Sequence, residues 1–136
     1  MKVHAILEFA VLFAASSLLQ GCAVLLVGAA AGAAGGTVSY YGNELQTVQE
    51  VTLDRAWAAA QAVSNEFQFK TDSARSRKDG MKAVLYCRNA QGQPVIITLS
   101  RISDKLTDIR IRVGTFDTSA NRLAAQQVFE KMRSKM

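Results

Sequence analysis

The sequence predicts an α+β fold: a two-layer domain with an antiparallel sheet of four or five strands and two helices on one face. Three observations predict it. The runs Met81 to Arg88, Pro94 to Leu99 and Thr107 to Val113 alternate apolar and polar residues, the period-2 signature of strands with one buried face. Short turns join these runs, and strands joined by short turns are antiparallel. A stretch on each side of the block repeats apolar residues at helical spacing, so both helices can cover the same sheet face.

Leu45 to Val51 reads as a first strand with weak alternation, and its pairing is left open. Thr52 is a helix N-cap with Asp54 in the first turn, where a carboxylate suits the positive end of the helix dipole. Leu53, Ala56, Trp57, Ala60, Val63 and Phe67 then fall on one helical face, with Trp57 as its core anchor. Phe67 to Thr71 reads as a strand with Phe67 and Phe69 on one side. Ser73 to Gly80 reads as a solvated loop; its Arg75, Arg77 and Lys78 could alternatively meet anionic lipid or glycan. In the next strand Met81, Ala83, Leu85 and Cys87 face the core, which makes Cys87 a small buried hydrophobe. Asn89 to Gln93 is a hairpin turn containing Gly92. Pro94 opens a strand whose inner face is Val95, Ile97 and Leu99. Ser103 to Leu106 turns the chain into a strand with Ile109, Ile111 and Val113 inward and Arg110 and Arg112 outward, ended by Gly114. The last helix starts with Ser119 as N-cap and presents Ala120, Leu123, Ala124, Val128 and Met132 to the core. Lys131, Arg133 and Lys135 suit its negative end.

Ahead of this domain stand two apolar runs. Lys2 and the amino terminus precede the core Ala5 to Leu19, and Leu19-Gln20-Gly21-Cys22 closes it as a lipobox. On this reading residues 1–21 are a lipoprotein signal peptide, and Cys22 becomes the lipidated N-terminus, anchored in the bilayer. Glu8, near the start, can sit at the membrane interface. The alternative is an uncleaved membrane anchor. Residues 22–43 then form a Gly/Ala-rich membrane-proximal segment, and 44–136 the globular domain. Gly28, Gly32 and Gly36 recur every four residues and would line one helix face, where backbones approach closely enough for self-association in a membrane. A flexible tether is the competing reading. Tyr40, Tyr41 and Gly42 fall at the bilayer edge or in a linker. Ala23 following Cys22 favours the outer membrane of an envelope that has one, facing the periplasm.

Composition narrows the chemistry. The only histidine, His4, leaves with the signal, so Ser-His and Cys-His catalysis and histidine-based metal sites are closed to the mature chain. One of the two cysteines is assigned to the lipid, which excludes a disulfide framework. No catalytic residue, metal ligand or cofactor is predicted. A formal charge of +5 fits anionic partners, and the secretion signal argues against nucleic acid. The candidate partner-binding face is Tyr86, Arg88, Arg110 and Arg112, since arginine forks suit carboxylate or phosphate. An envelope protein or an anionic glycan would be its partner. An ordinary solvated face and an envelope enzyme working without histidine are the alternatives.

The lipobox, the Gly/Ala run ending in Tyr40-Tyr41-Gly42, the helix around Trp57 and the segment Thr107 to Gly114 with Phe116-Asp117 occur together. In this combination the chain resembles a family of short bacterial lipoproteins known only as a domain of unknown function. The resemblance covers nearly the whole chain, and Ile111-Arg112-Val113-Gly114 with Asp117 is its most specific part. It implies an envelope location and an α+β domain, and supplies no activity and no catalytic residues.

Overall fold

Single side chains place most of the turns and caps that divide residues 37–136, the part described by the computed structural model, into seven strands and two helices. The lipidation candidate Cys22 and the glycine stripe Gly28, Gly32 and Gly36 lie outside the described residues. The elements run β1 (Ser39–Tyr41), β2 (Glu44–Gln49), α1 (Leu53–Glu66), β3 (Lys70–Thr71), β4 (Arg77–Lys78), β5 (Lys82–Arg88), β6 (Pro94–Ser103), β7 (Leu106–Val113) and α2 (Ser119–Arg133). The sheet is antiparallel in the order β1-β2-β7-β6-β5-β3, with β4 also on β5. Both helices pack on one face, α1 over β5 and β6 and α2 over β7 and β2. The fold is therefore the α+β arrangement the sequence predicts, with more strands than the four or five expected.

Period-2 alternation builds the core in rows across the sheet. Leu45, Ile111, Ile97 and Leu85 are successive cross-strand partners, as are Thr47, Ile109, Leu99 and Ala83. All are buried, and the helices close over them. On α1 the buried positions are mostly small, Ala56, Ala59, Ala60 and Ser64 beside Leu53 and Val63, so its backbone can lie close to the sheet. Trp57 is only half-buried and packs against the margin of the core. The Thr52 hydroxyl caps α1 by accepting from the Arg55 N–H at 3.2 Å. Asp54 then pins the start of the helix to β4 through Lys78, at 2.7 Å.

The extra strands lie at the edges. Tyr40 and Tyr41 are not linker: β1 pairs with β2 through a turn at Gly42 and Asn43, with Gly42 at φ 61°. The first long strand, undecided from the sequence, lies between β1 and β7. Its inner face is Leu45, Thr47 and Gln49, and Gln49 Nε2 donates to Thr47 Oγ1 at 2.9 Å.

The predicted strand Phe67 to Thr71 is mostly a helix terminus. Gln68 adopts φ 56°, its N–H donates to the Asn65 carbonyl at 3.1 Å, and that of Phe69 to Ser64 at 2.8 Å. This is a Schellman cap, here with a non-glycine residue at the left-handed position. Only Lys70–Thr71 remains extended. The predicted loop Ser73 to Gly80 contains β4, so β3 and β4 are two pieces along one edge of β5, with a turn between them. Asp72 nucleates that turn by accepting from the N–H groups of Ala74 and Arg75. The Ser76 hydroxyl spans the gap: it donates to the Asp72 carbonyl at 2.7 Å and accepts from the Tyr86 N–H at 3.0 Å.

Helix α2 and Met81 also differ from the sequence expectation. Thr118, not Ser119, caps the helix, accepting from the Asn121 N–H at 3.1 Å. The buried face is Asn121, Ala125, Val128, Phe129 and Met132, whereas Ala120 and Leu123 are exposed and Ala124 is half-buried. Phe129, too large to leave outside, turns the helix from the face the sequence suggests. Met81 precedes β5 and is exposed, because the strand begins at Lys82.

Candidate functional site

The sheet face opposite the helices carries the side chains singled out from the sequence. Tyr86, Ile96, Arg112 and Glu44 form one cross-strand row; Val84, Thr98, Arg110 and Gln46 form the next. Arg88 stands at the end of β5, opposite Pro94. The sequence therefore brings Tyr86, Arg88, Arg110 and Arg112 onto one face through strand parity, with Arg110 and Arg112 two strands away from Tyr86 and Arg88.

The two halves of this face differ electrostatically. Across β7 and β2 the arginines are neutralised. Arg110 reaches Asp108 at 2.8 Å and Glu44 at 4.0 Å, and Arg112 reaches Glu44 at 3.7 Å. Across β5 the Arg75 guanidinium lies 4.9 Å from the centroid of the Tyr86 ring, with Asp72 at 3.6 Å. Arg88 donates to the Gly92 carbonyl at 2.9 Å, which ties it to its own hairpin. Among the described residues, Lys70, Arg77, Lys82 and Arg88 have no carboxylate within ion-pair distance. The sequence reading missed Asp108 and Glu44. Asp108 shares the parity of Arg110 and was legible; Glu44 was not, because the pairing of its strand was open.

On the helix side Cys87 is fully buried, with Ser64 Oγ 3.3 Å and Thr71 Oγ1 3.8 Å from its sulfur. This trio joins α1, β3 and β5 beneath the sheet edge. A shallow apolar cavity of about 280 Å³ opens between the helices and the β5–β6 turn, lined by Phe67, Phe69, Val95, Val113 and Val128 among others, with no charged side chain. Among the described residues no three His, Cys, Asp or Glu side chains gather to hold a metal ion. No described helix is long and apolar enough to cross a membrane.

Four exposed carboxylates are held below their ordinary pKa by charge-assisted bonds. Asp54 is lowered by Lys78, Glu66 by Lys131 and then Lys135, Asp79 by the N–H groups of Met81 and Lys82, and Asp117 by Arg122. The Asp117–Arg122 pair is bidentate at 2.7 and 2.8 Å and raises the Arg122 pKa in return; its guanidinium lies 5.6 Å from the Tyr40 ring centroid. A depressed folded-state carboxylate contributes stability above its unfolded pKa and loses it as pH falls through the folded one. The melting temperature is therefore expected to fall as pH drops below 4.5, the ordinary glutamate value. Glu66→Gln should make that fall shallower, and thermal melts from neutral pH downward check it.

These features define a class: a two-layer α+β domain with an open, cation-bearing sheet face. Within that class, the chain belongs to the family described as "Protein of unknown function (DUF3568)", whose model matches residues 5–128. No curated protein matches the chain.

Proposed function

We propose that this chain is a lipid-anchored lipoprotein of the bacterial cell envelope, held by acylated Cys22, whose domain binds a partner without catalysing a reaction. The observation that carries this reading is Leu19-Gln20-Gly21-Cys22 at the end of an apolar run with a positive start. Ala23 after the cysteine favours the outer membrane, with the domain facing the periplasm. The glycine stripe Gly28, Gly32 and Gly36 supports self-association next to the anchor.

The binding role draws support from the open face. A sheet face that neither described helix covers, carrying arginines beside Val84, Ile96 and Tyr86, offers a flat surface with both charge and apolar contact. Residues that would give conventional nucleophile–histidine chemistry are missing once His4 is removed. An envelope protein or an anionic glycan fits such a face.

The experiment is the intact mass of the protein extracted from membranes with detergent, beside a Cys22→Ser variant. The expected mass is that of a chain beginning at Cys22 plus acyl groups, lost in the variant. A full-length, unlipidated mass in both would replace the lipid anchor with an uncleaved apolar one and retain His4.

A further inference from the structure

The bare sheet face is balanced on one side and not on the other. Around β7 and β2 each outward arginine has a carboxylate: Glu44 and Asp108 serve Arg110 and Arg112. Around β5, Lys82 and Arg88 stand at the two ends of the strand, and Lys70 and Arg77 come from its edge neighbours β3 and β4. Among the described residues none of these four has a carboxylate within 4.0 Å, and Asp79 acts on Arg77 only at longer range. Lys70 is also the direct cross-strand partner of Arg88. Like charges opposed in a sheet are destabilising, so the fold carries a local cost that an anion lying on this band would relieve.

From these observations we infer that the β5 side of the open face docks on an anionic lipid bilayer surface, the cations reaching the headgroup phosphates. This rests on the anchored reading above and assigns the β5 half of the face to the lipid surface itself. Seven residues of β5 set the cations along about 20 Å at ~3.3 Å per residue, a flat band that suits a planar partner. Strand β1 begins at Ser39, seventeen residues after Cys22, a chain length that can span at most about 60 Å, so the face can reach the surface in which the lipid sits. A second copy of the chain is disfavoured because two such bands repel. The apolar run Ala23 to Val38 is disfavoured because it has no charge to offer. A stacked sugar is disfavoured because Arg75 already covers one face of the Tyr86 ring. Basic residues close to an anionic leaflet are attracted to it over about a Debye length, so the docking is salt-sensitive.

The test uses the membrane-extracted full chain reconstituted into vesicles of phosphatidylcholine alone or with roughly one third phosphatidylglycerol. Lysine acetylation is then followed residue by residue by mass spectrometry. Lys70 and Lys82 are expected to label about threefold or more slowly on the anionic vesicles, with Lys105 unchanged as the internal reference. The difference should vanish in about 0.5 M NaCl, where screening shortens the Debye length to a few ångströms. Arg77→Gln with Lys82→Gln, both on the exposed face, should abolish the protection of Lys70 while the thermal melt stays in place. Equal labelling on the two vesicle types overturns the docking face. Protection by dextran sulfate on neutral vesicles, with none from the anionic lipid, also overturns it and assigns the band to a soluble polyanion. Flotation in the same samples separates the two readings. A chain that floats with neutral vesicles but labels equally keeps its anchor and loses the docking face. One that floats only with anionic vesicles keeps the face and loses the anchor.

Discussion

Phe129→Ala is expected to destabilise the domain by about 3–5 kcal/mol, the range for removing a fully buried aromatic ring. Phe129 is the largest fully buried side chain among the described residues, and it lies on the α2 face that packs over β7 and β2. Truncation removes the transfer energy of the ring and leaves a void that the packed core can only partly close. Against a typical total of about 5–15 kcal/mol, that loss brings the domain close to unfolding. Urea titration followed by the fluorescence of Trp57, the only tryptophan, reads it. Leu123→Ala on the same helix is the comparison. Leu123 is 56% exposed, so its truncation is expected to change stability by no more than about 0.5 kcal/mol. Equal losses at both positions would mean that α2 buries the face read from the sequence, with Leu123 inward.

Gly114→Ala should cost about 2–5 kcal/mol, from two separable causes. Gly114 ends β7 at φ 74°, where a side chain costs roughly 1–2 kcal/mol. A Cβ there would also stand 2.4 Å from Nδ2 of Asn121. That amide donates to the Phe116 carbonyl at 2.8 Å and is largely buried, so displacing it breaks a bond that holds the β7–α2 connection, at a further cost of about 1–3 kcal/mol. The causes separate in a double-mutant cycle with Asn121→Ala. Because the second substitution removes the side chain that is struck, the double variant should be more stable than the sum of the singles predicts. Strict additivity in urea titrations would show that only the backbone conformation matters.

Strands β5, β6 and β7 were readable because each buries one face completely and turns within a few residues, so periodicity alone sets inside and outside. The register then follows from the turns, and with it the shared face of Tyr86, Arg88, Arg110 and Arg112. β2 blurred because two of its three inward residues, Thr47 and Gln49, are polar, and they hydrogen-bond to each other. The 2.8 Å bond from Thr107 Oγ1 to the Val51 carbonyl, which fixes the end of this strand region against β7, is tertiary, and no local pattern announces it. Phe67 and Phe69 imitate a strand because a Schellman cap also brings alternate residues together; their rings meet edge to face at 5.5 Å. On α2 the pattern of Leu123 and Ala124 competes with Phe129 for the inward face, and volume decides. The uneven balance of charge across the open face required knowing which strand lies beside which, and so depended on the placement of β2 and of the two short edge pieces.

The break between β3 and β4 bears on aggregation. A long free edge strand would invite another chain to extend the sheet, the first step toward fibrillar assembly. Here the β5 edge is occupied by two pieces of two residues each, offset by the Asp72–Ser76 turn, and the opposite edge is the three-residue β1. Each described strand longer than three residues already has a neighbour on both sides along at least part of its length. A chain crowded among its own copies can thus keep a bare sheet face in contact with solvent without its sheets growing into one another.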